Sequence, residues 1–419
     1  MMQKITNFIN LYEYLLVALF LAIVYMVIAI PFGYLGNVNQ LMFSTPDAQS
    51  YLSVEHWILG ASDPADLLIR PMLYPALLIV PQAVGGNHAI WGFQFLLWVG
   101  AGCLLYRSIK LSTGNLFLAS VGIILYAGNF TLLLLTLHAL TEITVIFMLT
   151  ILVSVVLEKP RFSQKYYWPL ILFIVSLLTI TKPVFIPLWV LALFYSIFVY
   201  IKRLMKQKSD WTMLVYIILA SLPVLFQIAV MKINFDQLTI SNIGPITFKT
   251  YYLAKVYEVV NSVTLAQARQ MTATWGSGQI GGFIANHLGA GIQVYLRTIV
   301  ENFLSRSNFT ASPAPQIYIF SYMRLVNILY FTVHVLMVFP TLKVLFDIYR
   351  KKLWDEFEQM VSLIVPMWII VVTSGITFSQ GDRILLPALP IWIVLYACIL
   401  SRYFIMRGRK MQTSSIGTN

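Results

Sequence analysis

Acid is scarce in this chain: 16 Asp and Glu stand among 419 residues, and charged residues of both signs make up only 11%. A soluble domain of this size carries far more surface charge, and a mean hydropathy of +0.79 excludes one. Cysteine is nearly absent. Cys103 and Cys398 both lie in apolar stretches, which excludes a disulfide framework and a CxxC metal site and leaves the redox compartment unreadable. The chain has no internal repeat and no separate soluble domain. The glycines between Gly276 and Gly291 mark a flexible or closely packed stretch, but no strand precedes them, so they make a poor phosphate loop.

What fills the chain is hydrocarbon. Residues of the hydrophobic class make up 59% of it, gathered in stretches of roughly 20 residues, enough to cross about 30 Å of bilayer core. The stretch from Leu15 to Phe32 has no basic run before it beyond Lys4 and no small-x-small cleavage site, so it reads as a span and not a signal sequence. The pattern predicts an all-α polytopic membrane protein, a single domain over 1–419, with about ten transmembrane helices. They fall near 12–32, 89–107, 115–133, 139–157, 168–182, 183–201, 211–231, 323–346, 358–377 and 384–404. Thr181-Lys182-Pro183 interrupts one long apolar tract and predicts a break there.

The formal charge of +12 is not a nucleic-acid footprint, because the basic residues come in short clusters at alternate span ends. Arg107 with Lys110, Lys159 with Arg161 and Lys165, and Lys202 with Arg203, Lys206 and Lys208 are three of them. Arg350 to Lys352, and Arg402 with Arg407, Arg409 and Lys410, continue the series. This is the positive-inside pattern; it puts both termini in the cytoplasm and favours contact with membrane lipid headgroups. The setting is an inner or plasma membrane.

Two segments then face outward, over 33–88 and 232–322. In the second, Phe248 to Ala268 and Ile292 to Leu304 have the periodicity of amphipathic helices lying on the membrane surface. Polar residues collect at the outward span ends: Asp47, Arg70, His138, Thr141 with Glu142, Thr181 with Lys182, and Asp382 with Arg383. An ionisable residue at or inside a span costs a few kcal/mol and marks a functional site by default.

Each has an ordinary reading beside the functional one. Thr45 as N-cap and Pro46 at the first helical position would make Asp47 a complement to the helix dipole, which would also keep its carboxylate charged. Arg70 could anchor a loop to headgroups, Lys182 could snorkel, Asp382 and Arg383 could form a turn, and His138 could be a satisfied buried histidine. Glu142 is harder to dismiss: it follows a dense apolar run and has no basic neighbour in sequence. Several cations and two acids on one membrane face suit a phosphate-bearing lipid whose phosphate leaves while a carboxylate takes a proton.

Five short motifs in order carry a resemblance. Pro46-Asp47-Ala48-x-x-Tyr51, Arg70-Pro71-x-x-Tyr74-Pro75, Leu140-Thr141-Glu142, Thr181-Lys182-Pro183 and Gly381-Asp382-Arg383 followed by Leu385-Leu386-Pro387-Ala388-Leu389-Pro390 resemble the GT-C superfamily. More narrowly, they are similar to the bacterial protein mannosyltransferase and lipid A aminoarabinose transferase branch. The likeness runs over roughly residues 10–405.

The resemblance implies an integral-membrane glycosyltransferase that moves a sugar from a polyprenyl-phosphate-linked donor to an extracytoplasmic glycan, lipid or protein acceptor, with inversion. By that likeness Asp47 is the general base and Glu142 its support; Arg70, Lys182 and Arg383 hold the donor phosphate; Tyr51, Tyr74, His138 and Asp382 belong to the substrate cavity. Two departures stand out. Asp47 is a single acid where several relatives carry an adjacent pair, and Lys182 stands where Arg is frequent, losing fork geometry on phosphate. No cofactor is implied with certainty. Asp47 with Glu142 or His138 is the candidate seat for a divalent metal, although oxygen sites usually recruit more carboxylates. Tyr251, Tyr252 and Trp275 are available to stack on a sugar. The rivals are a polyprenyl-linked glycan transporter or flippase, which would show inverted repeats and ionisable groups near the bilayer midplane, and an envelope polysaccharide polymerase.

Overall fold

The computed structural model describes residues 2–158, 164–206, 211–307, 316–378 and 380–416; Lys159, Arg161 and Lys208 of the basic clusters lie outside them. Among the described residues the regular structure is helical, with no strand. Seven helices are long and apolar enough to cross a membrane: Tyr12–Ala29, Leu73–Thr113, Pro183–Met205, Trp211–Phe235, Tyr318–Arg350, Trp354–Ser374 and Leu386–Tyr403. Three shorter apolar helices, Leu116–Ala127, Glu142–Leu157 and Lys165–Thr181, lie where further spans are expected.

The helices differ in how much of each is buried. The peripheral helices turn large apolar side chains outward, such as Leu15, Leu19, Ile23 and Val27 on the first and Leu325, Leu336 and Phe339 on the fifth of the long ones. Glu142–Leu157 (α1) is covered nearly all round and packs on Leu73–Thr113 (α2), Gln164–Thr181 (α3) and Leu389–Ile416 (α4). A helix enclosed by its neighbours has no need to match the full hydrocarbon thickness. Small residues let the helices close up: a Cβ on Gly122 would meet Ile109 at 2.4 Å and Ile393 at 2.9 Å.

The segment 33–88 is more helical than a loop. It holds Pro46–Ile58 (α5), a 3-10 turn Ala65–Leu68, and the first arm of α2. That arm reaches Gly85 and Gly86, where the backbone leaves the helix; Gly86 has φ +58, which glycine adopts without strain. The expected break at Thr181-Lys182-Pro183 is present: α3 ends at Thr181, Lys182 is extended, and Pro183–Phe185 forms a 3-10 turn before the next helix.

The segment 232–322 is helical in Ala254–Asn261, Leu265–Ala273, Ser277–Asn286 and Leu288–Leu304, which include helix over most of the two stretches expected to be helical. Its glycine run is largely helical, with open space beside Gly278, Gly281 and Gly282; only Gly291 is closely packed, against Tyr252.

Candidate active site

Five of the six charged residues singled out at span ends meet in space; Asp382 does not join them. Each occupies a place where regular helix starts, stops or breaks. Thr45 caps α5, its side chain accepting from Ala48 N at 3.1 Å, and Pro46 follows at the first position, so Asp47 sits in the first turn as the capping reading expects. Arg70 lies between the 3-10 turn and α2, Glu142 opens α1, Lys182 is the break after α3, and Arg383 rides on the 3-10 turn Gly381–Ile384.

Asp47 is gripped from two sides. Arg70 Nη2 reaches its Oδ1 and Arg383 Nη2 its Oδ2, each at 2.5 Å. Arg383 Nε lies 3.2 Å from Glu142 Oε1, and Lys182 Nζ donates to that same oxygen at 3.2 Å. The result is a continuous chain, Arg70–Asp47–Arg383–Glu142–Lys182, with three cations and two acids. Burial alone would raise the Asp47 carboxyl, but the Arg70 and Arg383 guanidiniums outweigh it and hold it down at about 2. Burial disfavours the Arg383 charge too, yet Glu142 and Asp47 push its pKa upward.

These groups open on a cavity of about 510 Å3 whose wall includes all five of them and Tyr51. The volume is that of a small-ligand site. The remaining wall is largely apolar, from Ile69, Leu140, Val184, Ile186, Ile243, Ile370 and Ile376, with the hydroxyls of Thr239, Ser241, Thr373 and Thr377 between them.

Arg70 is fixed at its root. Its Nε donates to Ser50 Oγ at 2.8 Å, and its guanidinium lies 4.9 Å from the centre of the Tyr51 ring. Tyr51 in turn meets Tyr74 edge-on, with centroids 5.0 Å apart. Tyr74 does not line the cavity; it is the second layer, its hydroxyl 3.4 Å from Gln94 Oε1.

His138 and Asp382 also stand behind the wall. The His138 ring is buried, with Nδ1 3.4 Å from Ser44 Oγ, and burial pulls it down to about 4, so it is neutral near pH 7. Asp382 is an anchor. Its Oδ1 accepts from the Ser307 N–H at 3.0 Å and from the Ser307 hydroxyl; its Oδ2 accepts from Thr131 Oγ1 at 2.7 Å. Burial pushes its carboxyl up, against the downward pull of those bonds. Ser307 Oγ also accepts from Arg383 N at 3.0 Å, so the same hydroxyl steadies the residue that reaches Asp47.

Of the three aromatics offered for stacking, Tyr251 lines the cavity. Tyr252 packs on Phe248 and Tyr295, and Trp275 on Tyr257 and Phe283. Sequence reasoning missed Ser50, Thr131, Asn302 and Ser307. Asn302 accepts from Gly381 N at 3.1 Å and donates to Ser374 O and Thr377 O, tying the turn that carries Arg383. A lone hydroxyl or amide in an apolar helix gives no sequence signal of such a role.

A divalent cation does not fit this donor set. Both oxygens of Asp47 and Oε1 of Glu142 already face guanidinium or ammonium groups, and no group of three His, Cys, Asp or Glu able to hold a metal occurs among the described residues. The site's chemistry is that of fixed organic cations beside a carboxylate, able to bind an anion and to move a proton. The chain matches no family model, no curated protein and no solved structure.

Proposed function

We propose that the protein is an integral-membrane glycosyltransferase of ten spans, with both termini in the cytoplasm and the cavity on the extracytoplasmic side. Its donor is a sugar linked to a polyprenyl phosphate; its acceptor is a hydroxyl-bearing glycan, lipid or protein. One observation carries the reading: a single cavity joins two acids to three cations over an otherwise apolar wall. A phosphate on a hydrocarbon tail presents the complementary pair of features.

The orientation has its own support. Arg107 pairs with Glu158, Lys110 with Glu13 and Arg402 with Glu356, at the helix ends away from Arg70, Glu142 and Arg383. Basic residues concentrated at that end support the cytoplasmic assignment of that face. The three shorter apolar helices bring the proposed count to ten; Glu142–Leu157 is enclosed by its neighbours, while Leu116–Ala127 turns Leu116, Phe117 and Ile124 outward.

In the reaction, the acceptor hydroxyl gives its proton to Asp47 while its oxygen bonds to the anomeric carbon. The bond from that carbon to the phosphate oxygen breaks on the opposite face, its electron pair leaving with the polyprenyl phosphate, which gives inversion. Arg70, Arg383 and Lys182 stabilise the charge that develops on the leaving group. Glu142 holds Lys182 and Arg383 in place.

The test is incubation of the purified protein with a panel of polyprenyl-phosphate sugars, with released polyprenyl phosphate read by mass spectrometry. Release that requires Asp47 supports the reading. No release from any donor, together with uptake of a lipid-linked glycan into proteoliposomes, would replace it with transport.

A further inference from the structure

Asp47 is the acid best placed to take a proton and, as it stands, poorly able to. Both its oxygens are occupied, by Arg70 and by Arg383 at 2.5 Å each, and the carboxyl is held at about 2. A base that weak draws little from an alcohol. The groups that weaken it are the same guanidiniums whose fork geometry suits phosphate. An anion entering the cavity competes with Asp47 for both.

We propose that Asp47 is a resident anion that the donor phosphate displaces, so that the phosphodiester takes over the Arg70 and Arg383 hydrogen bonds and thereby unmasks Asp47 as the base. The inference rests on the glycosyltransferase reading and adds to it an order: donor first, base second.

Two features permit the exchange. Each arginine gives Asp47 a hydrogen bond from Nη2, while its Nε turns to a different residue: Arg70 Nε donates to Ser50 Oγ, and Arg383 Nε lies 3.2 Å from Glu142 Oε1, an ion-pair contact without a hydrogen bond. The root of each guanidinium therefore keeps its contact while the tip changes partner. The charges also balance. Arg70, Arg383 and Lys182 face Asp47 and Glu142, with Tyr51 un-ionised beside them, leaving one positive charge in excess. A phosphodiester brings one negative charge and neutralises it.

Transfer preserves that neutrality. Asp47 gains the acceptor proton and loses its charge, while the phosphate, released from its sugar, becomes a monoester with a second negative charge. Both arginines then hold the stronger anion. As the lipid phosphate departs, Asp47 yields its proton to water and the guanidiniums return to it. Between turnovers the base is covered, so a water molecule in the cavity meets no competent partner.

The test compares undecaprenyl phosphate binding to wild type and Asp47→Asn, both purified in detergent, beside the transfer assay. Displacement predicts that Asp47→Asn, with the competing charge removed, binds the lipid about tenfold tighter while transfer is lost. Equal or weaker binding by Asp47→Asn overturns the exchange. Absence of binding to both proteins, with no transfer from any donor, overturns the glycosyltransferase reading itself, which keeps the two failures apart.

The wild type decides the matter independently of how that variant folds. kcat reports the donor-bound enzyme and kcat/KM for the donor reports the free one. Exchange places the acid limb of kcat near the ordinary carboxyl value of about 3.9, with kcat/KM persisting to lower pH. Coincident limbs overturn it.

Discussion

Arg383 meets Asp47 at 2.5 Å across 336 positions of sequence, and its Nε lies 3.2 Å from Glu142. One side chain from near the end of the chain thus faces an acid of the segment 33–88 and an acid that opens a central helix. The site closes only when the chain's two halves are packed together. That makes Arg383 the residue through which fold and site depend on each other.

Replacing it by lysine separates charge from geometry. A single ammonium keeps the positive charge but cannot repeat both guanidinium contacts at once. A charge-assisted hydrogen bond contributes about 1.5–3 kcal/mol, so Arg383→Lys should lower kcat/KM for the donor by roughly 10–100-fold. Steady-state kinetics with varied donor checks this. Wild-type kinetics would remove Arg383 from phosphate binding.

Asp382, its neighbour, should behave differently. It touches no part of the cavity, and both its oxygens accept hydrogen bonds from Ser307 and Thr131. Asp382→Asn keeps one acceptor oxygen and puts an NH2 where the other stood, so a hydrogen bond into this residue must reverse or be lost and the charge that strengthens these bonds is gone, at a cost of about 1–3 kcal/mol. The expected result is a lower melting temperature and a raised donor KM, because the turn beneath Arg383 loosens. A variant with wild-type melting and a selective loss of kcat would instead place Asp382 in the chemistry.

The contrast between these adjacent residues shows how far the sequence is legible. Asp47, Arg70, Glu142, Lys182 and Arg383 stand out because charge at the end of an apolar stretch is costly, and all five line one cavity. Their pairing was not legible. Asp382 and Arg383 carry the same local signal, and only the 3-10 turn packed on Ser307 decides which points inward to an anchor and which toward Asp47. The first arm of α2 falls in the segment 33–88, outside the expected spans; Pro75 and Pro81 weaken the helix signal there, and Gly85-Gly86 marks a kink between two helical arms. The three short apolar helices carry full hydrophobic runs, so composition alone does not reveal where their regular structure ends.

The Asp47 clamp also makes a prediction about acid. Its carboxyl lies at about 2 in the folded protein against an ordinary value of 3.8. A depressed folded value means the contribution is fully present above the ordinary value and is lost as pH falls toward the folded one. Melting temperature of the donor-free protein should therefore drop between those two values, and Asp47→Asn should flatten that part of the profile. Parallel profiles would show that other groups govern acid unfolding.

Gly381 bears on the same turn from the backbone side. It has φ +66, and a Cβ there would meet Arg306 O at 2.3 Å and Ser307 N at 2.8 Å. Neither atom belongs to a flexible side-chain end, so the turn must shift. Gly381→Ala should cost about 1–3 kcal/mol and weaken donor binding with it, by displacing Arg383. Melting and donor KM measured together check this; a stable variant with unchanged KM would show that the turn tolerates the shift.

Glu142 and Lys182 form the other end of the charge chain, and their coupling can be measured. Glu142 is 3% exposed and its Oε1 faces both Lys182 and Arg383 at 3.2 Å. Glu142→Gln leaves the two cations close together without the carboxylate between them, which should destabilise the protein by about 3–5 kcal/mol, the usual penalty for breaking a buried pair. Lys182→Met should cost less, since Arg383 still faces Glu142. In the double variant the mutual repulsion of the cations is gone, so its loss should fall short of the sum of the singles by about 0.5–3 kcal/mol. Detergent unfolding of the four proteins reads that difference directly. Simple additivity would mean that Glu142 acts on Arg383 alone, and Lys182 would then be free to serve the donor phosphate without any structural duty.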